Sequence, residues 1–328
     1  MLELFGGIGA PRKALINLGL DHKCIDYVEW QQNRVRAYNA LYDHIHKPQD
    51  VRGWNLKPDI LIHGSPCQDN SRGNRKRKGN DESSRSQLML ETLRIIKEMG
   101  SWKPKVVIWE NVKGVLDKNV MPIFDFYMQE MKDLGYTNSF DILDARNFGV
   151  PHGRERVFCI SLLADETFDF SKLVHIPMKN INEFLEFGQD DEIPEQYLIK
   201  VPSMLSKIKE FNPFPIGSYK RQLDVIGDYC YTITERQDRC PNAGIIRLNR
   251  PEYRYLTERE CWRLLGFDDN DFDLMIGVFP TKAGKRNATL YALAGNSIVV
   301  QVLEAIFKVI IEEDYGIDLL GESKNILN

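Results

Sequence analysis

Several features that would assign the chain to a specialised class are missing. The six cysteines, at 24, 67, 159, 230, 240 and 261, form no CxxC pair. That argues against a zinc site or a disulfide framework and fits a cytosolic protein with free thiols. No apolar run reaches membrane-spanning length, so no membrane association is expected. The opening "MLELFGG" is strand-like with no basic stretch ahead of it, unlike a secretory leader. The net charge is only −4, so any surface for nucleic acid must be local rather than global. Internal repeats and low-complexity tracts are absent. What remains is ordinary for a globular protein: 328 residues, 43% apolar and 27% charged. That is enough for one large domain or two unequal ones.

Hydrophobic periodicity organises the first half. Apolar runs at residues 2–5, "KCIDYVEW", "DILIHGS", "PKVVIWENV" and "RVFCISL" read as strands. Between them "NRVRAYNALYDH", "QLMLETLRIIKEM" and "MPIFDFYMQEMKDLG" read as helices, and Ala14, Leu15 and Leu18 mark another. The strands are continuously apolar, which predicts an α/β fold with a mostly parallel sheet covered on both faces. Ligands in such folds gather beyond the carboxyl ends of the strands. Gly7, Glu29, Cys67 and Glu110 all fall at such ends, which predicts one shared site. After residue 165 the rhythm stops. Residues 165–195 are acid-rich, as a solvated surface would be. Residues 196–255 read as a second domain of irregular or mainly β character. "AGNSIVVQVLEAIFKVIIEEDYG" reads as a long helix able to pack back on the first domain.

Within this frame, several residue types invite chemistry. "LFGGIGA" joins a strand to a helix, and its glycines permit a tight turn or close approach of a ligand to backbone amides. The dinucleotide pattern GxGxxG is not completed, because Arg12 stands at its last position, so a pyrophosphate is not implied. Glu29 and Asp50 suit a ribose or a base, or equally a helix cap and a surface acid. Cys67 is a nucleophile or an inert thiol; Arg72, Arg75, Lys76, Arg77 and Lys78 follow it and would favour a thiolate or touch phosphates. Glu110 ends a buried strand, where desolvation would raise its pKa. Arg154 and Arg156 share one face if extended, to fix an acid or bind an oxygen, or as plain surface arginines.

In this order the motifs "LFGGIGA", "PCQ", "ENV", "GVPHGRERVF", "LTERECWRLLGF" and "AGNSIVV" resemble those of the cytosine-5 DNA methyltransferase family, over nearly the whole chain. The resemblance is to the compact bacterial and phage enzymes. It implies a Rossmann-like, S-adenosylmethionine-dependent catalytic domain at 1–178, a smaller target-recognition domain at 179–284, into which "LTERECWRLLGF" would pack, and a returning segment at 285–328. It implies a DNA (cytosine-5-)-methyltransferase in which Cys67 attacks C6 of a flipped cytosine. Glu110 would contact N3 and the exocyclic amine, Arg154 would orient Glu110, and Arg156 would bind O2. Phe5, Gly7 and Gly9 would line the cofactor site, Glu29 would hold the ribose, Trp30 would pack on adenine, Asp50 would meet its amino group, and Asn296 would help close the pocket.

For the double-stranded DNA partner, Gln68, Ser71, Arg72, Arg75, Lys76, Arg77, Lys78 and Arg85 lie in the cysteine loop. Thr232, Thr234, Arg236, Gln237 and Arg239, in "YCYTITERQDRCPNAG", are candidate groove readers. The cleft is expected to be positive and the acid-rich side negative. The enzyme is expected to act as a monomer at the bacterial nucleoid, in restriction-modification with a cognate endonuclease or in phage protection. Rival readings are an RNA cytosine-5 methyltransferase on the same scaffold and a catalytically weak DNA-binding protein. Three departures from the family pattern stand out: Ala10 in place of a glycine, His152 in place of a glutamine, and Asn70 where an aromatic is common.

Overall fold

The structure is a computed structural model describing residues 1–52, 57–64, 88–208, 222–317 and 319. Its elements in chain order are β1 (Leu2–Leu4), α1 (Ala10–Asn17), β2 (Asp26–Val28), α2 (Gln32–Tyr42), β3 (Ile60–His63), α3 (Leu88–Glu98), β4 (Val106–Val112), α4 (Met121–Asp133), β5 (Thr137–Asp144), β6 (His152–Gly153), β7 (Glu155–Leu162), α5 (Pro202–Leu205), β8 (Cys230–Tyr231), β9 (Ile246–Arg247), β10 (Tyr253–Arg254), α6 (Glu258–Arg263), α7 (Asp269–Val278), α8 (Ala288–Gly295) and α9 (Val300–Glu312).

The main sheet has the order β2-β1-β3-β4-β7-β5. Strands β1 to β4 pair in parallel, while β7 runs antiparallel to both β4 and β5. Alternation along each strand divides the side chains between two cores. Ile62, Val106, Ile108, Phe158 and Ile160 face one side with α1, α8 and α9. Leu61, Val107, Trp109, Val157 and Cys159 face the other with α3 and α4. Because both faces are covered, both sets are apolar, and the strands read as unbroken apolar runs. Strand β5 is the exception that the sequence reading passed over. It forms an edge, its residues alternate with polar ones, and Leu143 is its one buried side chain.

A smaller core holds Ile199, Ile208, Leu223, Ile245, Tyr253 and Tyr255. Beside it β9 pairs antiparallel with β10, and β6 pairs in parallel with β8. The stretch 257–278, expected in the smaller domain, buries Cys261, Trp262, Leu265, Phe272 and Met275 in the core shared with α1 and α9. Trp262 donates from Nε1 to the Leu290 carbonyl in α8 at 3.0 Å. Apolar area on α6 and α7 is thus satisfied by the large sheet layer. The link back to the smaller core is polar, chiefly the buried pair Arg254–Glu260. The late apolar stretch is two helices rather than one, broken at Asn296–Val299, and α9 packs on the first domain through α1 as the sequence indicated.

Candidate active site

An open cleft of about 1230 Å³, mouth included, lies beyond the carboxyl ends of β1, β2 and β4. Phe5, Gly7, Glu29, Trp30, Glu110, Arg154, Arg156 and Asn296 all line it. One cleft therefore collects residues from four strand ends and from the end of α8.

The glycine loop forms the floor. Phe5 and Gly7 have φ of 56° and 58°, and Gly9, which caps α1, has φ 76°. A positive φ at phenylalanine is a strained conformation held by its surroundings. Tyrosines supply the restraint: Tyr27 Oη donates to the Gly7 carbonyl and Tyr42 Oη to the Gly9 carbonyl, each at 2.6 Å. A Cβ on Gly9 would lie 2.5 Å from the Tyr42 ring and 2.6 Å from the Tyr38 ring. Gly9 is thus fixed by packing behind the loop and does not line the cleft, contrary to expectation. Ala10 begins α1 without a positive φ, so its methyl group causes no strain.

Glu29 is buried, and its carboxylate shapes the turn into α2. Oε1 accepts from the Trp30 and Gln31 amides at 3.0 and 2.9 Å, and Oε2 accepts from Arg34 at 3.1 Å. The Trp30 side chain beside it is 68% exposed, an uncovered aromatic face at the cleft wall. Asp50 departs from its expected place. It is absent from the cleft lining, and both its oxygens are gripped by the Arg52 guanidinium at 2.5 to 3.2 Å. That fork holds Asp50 at a pKa of about 2. Asn296 caps α8 and donates from its amide to the Ala292 carbonyl at 2.8 Å.

Opposite this wall stands Glu110. Its side chain is 13% exposed and pairs through Oε1 with Arg156 Nε at 3.1 Å. Burial raises its pKa above the usual carboxylate range, against the pull of Arg156 and Arg154. A Cβ on Gly64, the last described residue before the cysteine loop, would lie 3.7 Å from Glu110 Oε2. The carboxyl group therefore abuts the chain that leads to Cys67. Arg156, rather than Arg154, forms the close ion pair with Glu110. Arg154 is buried and donates to the carbonyls of Ile233 (3.0 Å), Gly295 (3.1 Å) and Ser297 (2.6 Å). It ties three segments of chain together behind the cleft.

His152 is fully buried, with Nδ1 3.1 Å from the Leu264 carbonyl and Nε2 accepting the Ile233 N–H at 3.1 Å. An amide N–H always donates, so Nε2 is unprotonated and Nδ1 carries the proton. Burial, reinforced by Arg154, keeps the ring neutral. A glutamine would offer the same one donor and one acceptor, which explains why this departure is tolerated.

Of the candidate groove readers, Arg236 and Arg239 are exposed. Thr232 Oγ1 donates to the Gly153 carbonyl at 2.9 Å, and Thr234 Oγ1 accepts from Asn242 at 2.9 Å. Gln237 is a correction. It is fully buried, and its Oε1 accepts from the Ala243 amide at 3.2 Å, closing the loop from inside instead of facing a groove. Cys67, Gln68, Asn70, Ser71, Arg72, Arg75, Lys76, Arg77, Lys78 and Arg85 lie outside the described residues. Among the described residues no cluster of His, Cys, Asp and Glu could hold a metal.

Sequence reasoning missed Glu3, which also lines the cleft. It is buried in β1, where its Oε1 accepts from Tyr38 at 3.0 Å, and burial pushes its pKa up to about 7. An acid inside an apolar strand was the available signal. Arg34, Ser297 and Ile298 also line the wall; the last two stand in the "AGNSIVV" motif, and Arg34 carried no mark in the sequence.

A mostly parallel α/β sheet with this cleft at its carboxyl ends defines a fold that solved methyltransferases share. The chain superimposes on the Schizosaccharomyces pombe Dnmt2 methyltransferase with a TM-score of 0.71 at 19% identity, covering 95% of this chain and 97% of that one. The Entamoeba histolytica methyltransferase EhMeth gives 0.72 at 18% identity, covering 95% and 97%. Residues 1–312 match the model of the C-5 cytosine-specific DNA methylase family, and the chain belongs to that family. It is 33% identical to the type II methyltransferase M2.ScrFI of Lactococcus lactis subsp. cremoris, over 94% of this chain and 98% of that protein. It is 28% identical to the type II methyltransferase M.HpaII of Haemophilus parainfluenzae, over 95% and 89%. The activity is that of a DNA (cytosine-5-)-methyltransferase.

Proposed function

We propose that the chain methylates C5 of a cytosine flipped out of duplex DNA, using S-adenosylmethionine and a covalent adduct at Cys67. The observation that carries this reading is Glu110, a buried carboxyl group of raised pKa held by Arg156 in the cleft that also contains the glycine loop. The residues present fit the cofactor. The exposed Trp30 ring suits an adenine face, the Glu29 carboxylate suits ribose hydroxyls, and Phe5, Gly7 and Asn296 suit the remainder. When bound there, S-adenosylmethionine supplies an electrophilic methyl group on a sulfonium.

The chain's own groups do the rest. Cytosine C5 is a weak nucleophile, and addition of the Cys67 thiolate to C6 moves electron density onto the C5 to N3 system. Glu110, whose carboxyl group burial makes a better proton holder than an exposed one, shares a proton with N3 and stabilises that charge. Arg156 orients Glu110 and offers further N–H groups to O2. After C5 is methylated, a base removes the C5 proton. The freed electron pair restores the C5–C6 double bond and expels Cys67 as thiolate. Extruding the base costs a few kcal/mol. Arg236, Arg239 and the basic run 72–85 offset this through phosphate and base contacts. The smaller core region serves target recognition. The enzyme acts as a monomer in the cytoplasm at the nucleoid, on a defined sequence, alongside an endonuclease of matching specificity.

A pool of random-sequence duplexes carrying 5-fluorocytosine tests this, because fluorine cannot leave as a proton does. With S-adenosylmethionine, a protein–DNA adduct mapping to Cys67 is expected. Cys67→Ala should form none, and Glu110→Gln should form it far more slowly. Absence of any adduct across the pool would refute the mechanism.

A further inference from the structure

Two segments distant in sequence are laced together beside the cleft. β6 pairs with β8, His152 opposite Cys230 and Gly153 opposite Tyr231. The lacing continues on both sides of that pairing. The Cys230 amide donates to the Pro151 carbonyl at 3.0 Å and Thr232 Oγ1 to the Gly153 carbonyl at 2.9 Å. At Ile233 both peptide groups are held by side chains: its N–H by His152 Nε2 at 3.1 Å, its carbonyl by Arg154 at 3.0 Å. The first segment runs on into Arg156, which grips Glu110. The second runs on into the loop 234–243.

That loop is closed on itself. Asn242 donates to Thr234 Oγ1 at 2.9 Å, Gln237 Oε1 accepts from Ala243 at 3.2 Å, and Arg286 Nε donates to the Asp238 carbonyl at 2.8 Å. Its base rests on α8, since a Cβ on Gly295 would lie 2.3 Å from the Thr234 carbonyl carbon. These bonds brace the loop from inside and from Arg286 and α8, and the anchor that ties its entry to the segment carrying Arg156 is Ile233. The opposite anchor of His152 is the Leu264 carbonyl, just past α6.

We propose that His152 is a positioning residue that registers the 234–243 loop against the Arg156–Glu110 pair, so that duplex DNA seated on the loop delivers its cytosine to the carboxyl group. This rests on the function proposed above. His152 does not touch substrate; it acts through Ile233. The feature required of it is one donor and one acceptor at the right separation, which neutral histidine and glutamine provide and leucine does not.

The test uses the full chain as wild type, His152→Gln, His152→Leu and His152→Asn. Each is examined for thermal unfolding, for S-adenosylhomocysteine binding without DNA, and for kcat and KM in methyl transfer to duplex DNA. In His152→Leu, KM for DNA should rise about tenfold, the loss expected when a buried N–H and carbonyl are left unpaired. His152→Gln should stay within about threefold of wild type, and S-adenosylhomocysteine binding should be unchanged in both. His152→Asn keeps both functions but is too short to span Leu264 and Ile233, so its KM should rise too; this arm decides the matter if the leucine variant does not fold. Wild-type KM in the asparagine or leucine variant, or equal losses in the glutamine and leucine variants, would overturn the assignment. Failure of the mechanism itself would appear instead as a wild-type chain that forms no fluorocytosine adduct.

Discussion

Arg254 and Glu260 lie at the join between the smaller core and the large one, and both side chains are fully buried. Arg254 bonds both carboxylate oxygens, at 2.8 and 2.9 Å, and also donates to the carbonyls of Tyr255 and Phe187. Glu260 in turn accepts the Glu186 and Thr257 amides at 2.8 Å each, the second as half of the capping box that starts α6. Replacing Arg254 with leucine strands a buried carboxylate, a loss typically of 3–5 kcal/mol. Three amide donors remain on Glu260, the Phe187 amide at 3.4 Å besides these two, so the lower end applies, and Arg254→Leu should lower the unfolding free energy by about 3 kcal/mol. Adding Glu260→Gln removes the stranded charge and keeps an acceptor for the Thr257 cap, but turns its NH2 toward the Glu186 and Phe187 amides, which lose their acceptor. The double variant should therefore regain only about 1 kcal/mol over the single one. Urea unfolding followed by tryptophan fluorescence measures both, with Trp262 in the adjoining core as reporter. A loss below about 1 kcal/mol for Arg254→Leu, or a double variant weaker than the single, would refute the claim that this pair is a desolvated ion pair held by mutual neutralisation.

Two further expectations concern the cleft. Gly295→Ala places a methyl group 2.3 to 2.6 Å from the backbone of Thr234 and Glu235, which cannot rotate away, so the loop must retreat by about 1 Å. Displacement of that size should lower kcat/KM on duplex DNA about a hundredfold, and a wild-type rate would show that the loop does not rest on α8. For Glu3, burial raises the pKa from 4.5 to about 7, so the folded state holds the proton more tightly than the unfolded one. Stability from this group is full below pH 4.5, falls as pH rises toward 7, and is flat beyond, a change of roughly 3 kcal/mol. Glu3→Gln should remove that portion of the slope in unfolding measured between pH 4 and pH 8; parallel curves for variant and wild type would rule it out.

The sheet was legible because its strands carry one unambiguous signal. "VVIW" and "DILIH" are apolar on both faces, and a strand covered on both sides has no other composition available to it. Strand β5 lacked that signal because an edge strand keeps one side polar. Gly7, Glu29, Trp30, Glu110, Arg154, Arg156 and Asn296 could be nominated from their positions at strand ends and in motifs, and they do share one cleft. Gln237 is nominated by chemical type, and Asp50 by type and by the family resemblance. A carboxylate or an amide suits a loop interior as well as a ligand, and here Arg52 and the Ala243 amide claim them.

The sequence by itself determined the family, the α/β class and the set of reactive side chains, because each depends on residue type and order along the chain. Tertiary structure decided the rest: that Arg156 rather than Arg154 pairs with Glu110, that His152 is neutral with its proton on Nδ1, and that α6 and α7 join the large core. Those outcomes turn on distances between residues far apart in the chain, such as His152 to Ile233 or Arg154 to Gly295. No local pattern encodes them; they follow only when buried donors and acceptors from distant segments are matched in the packed molecule.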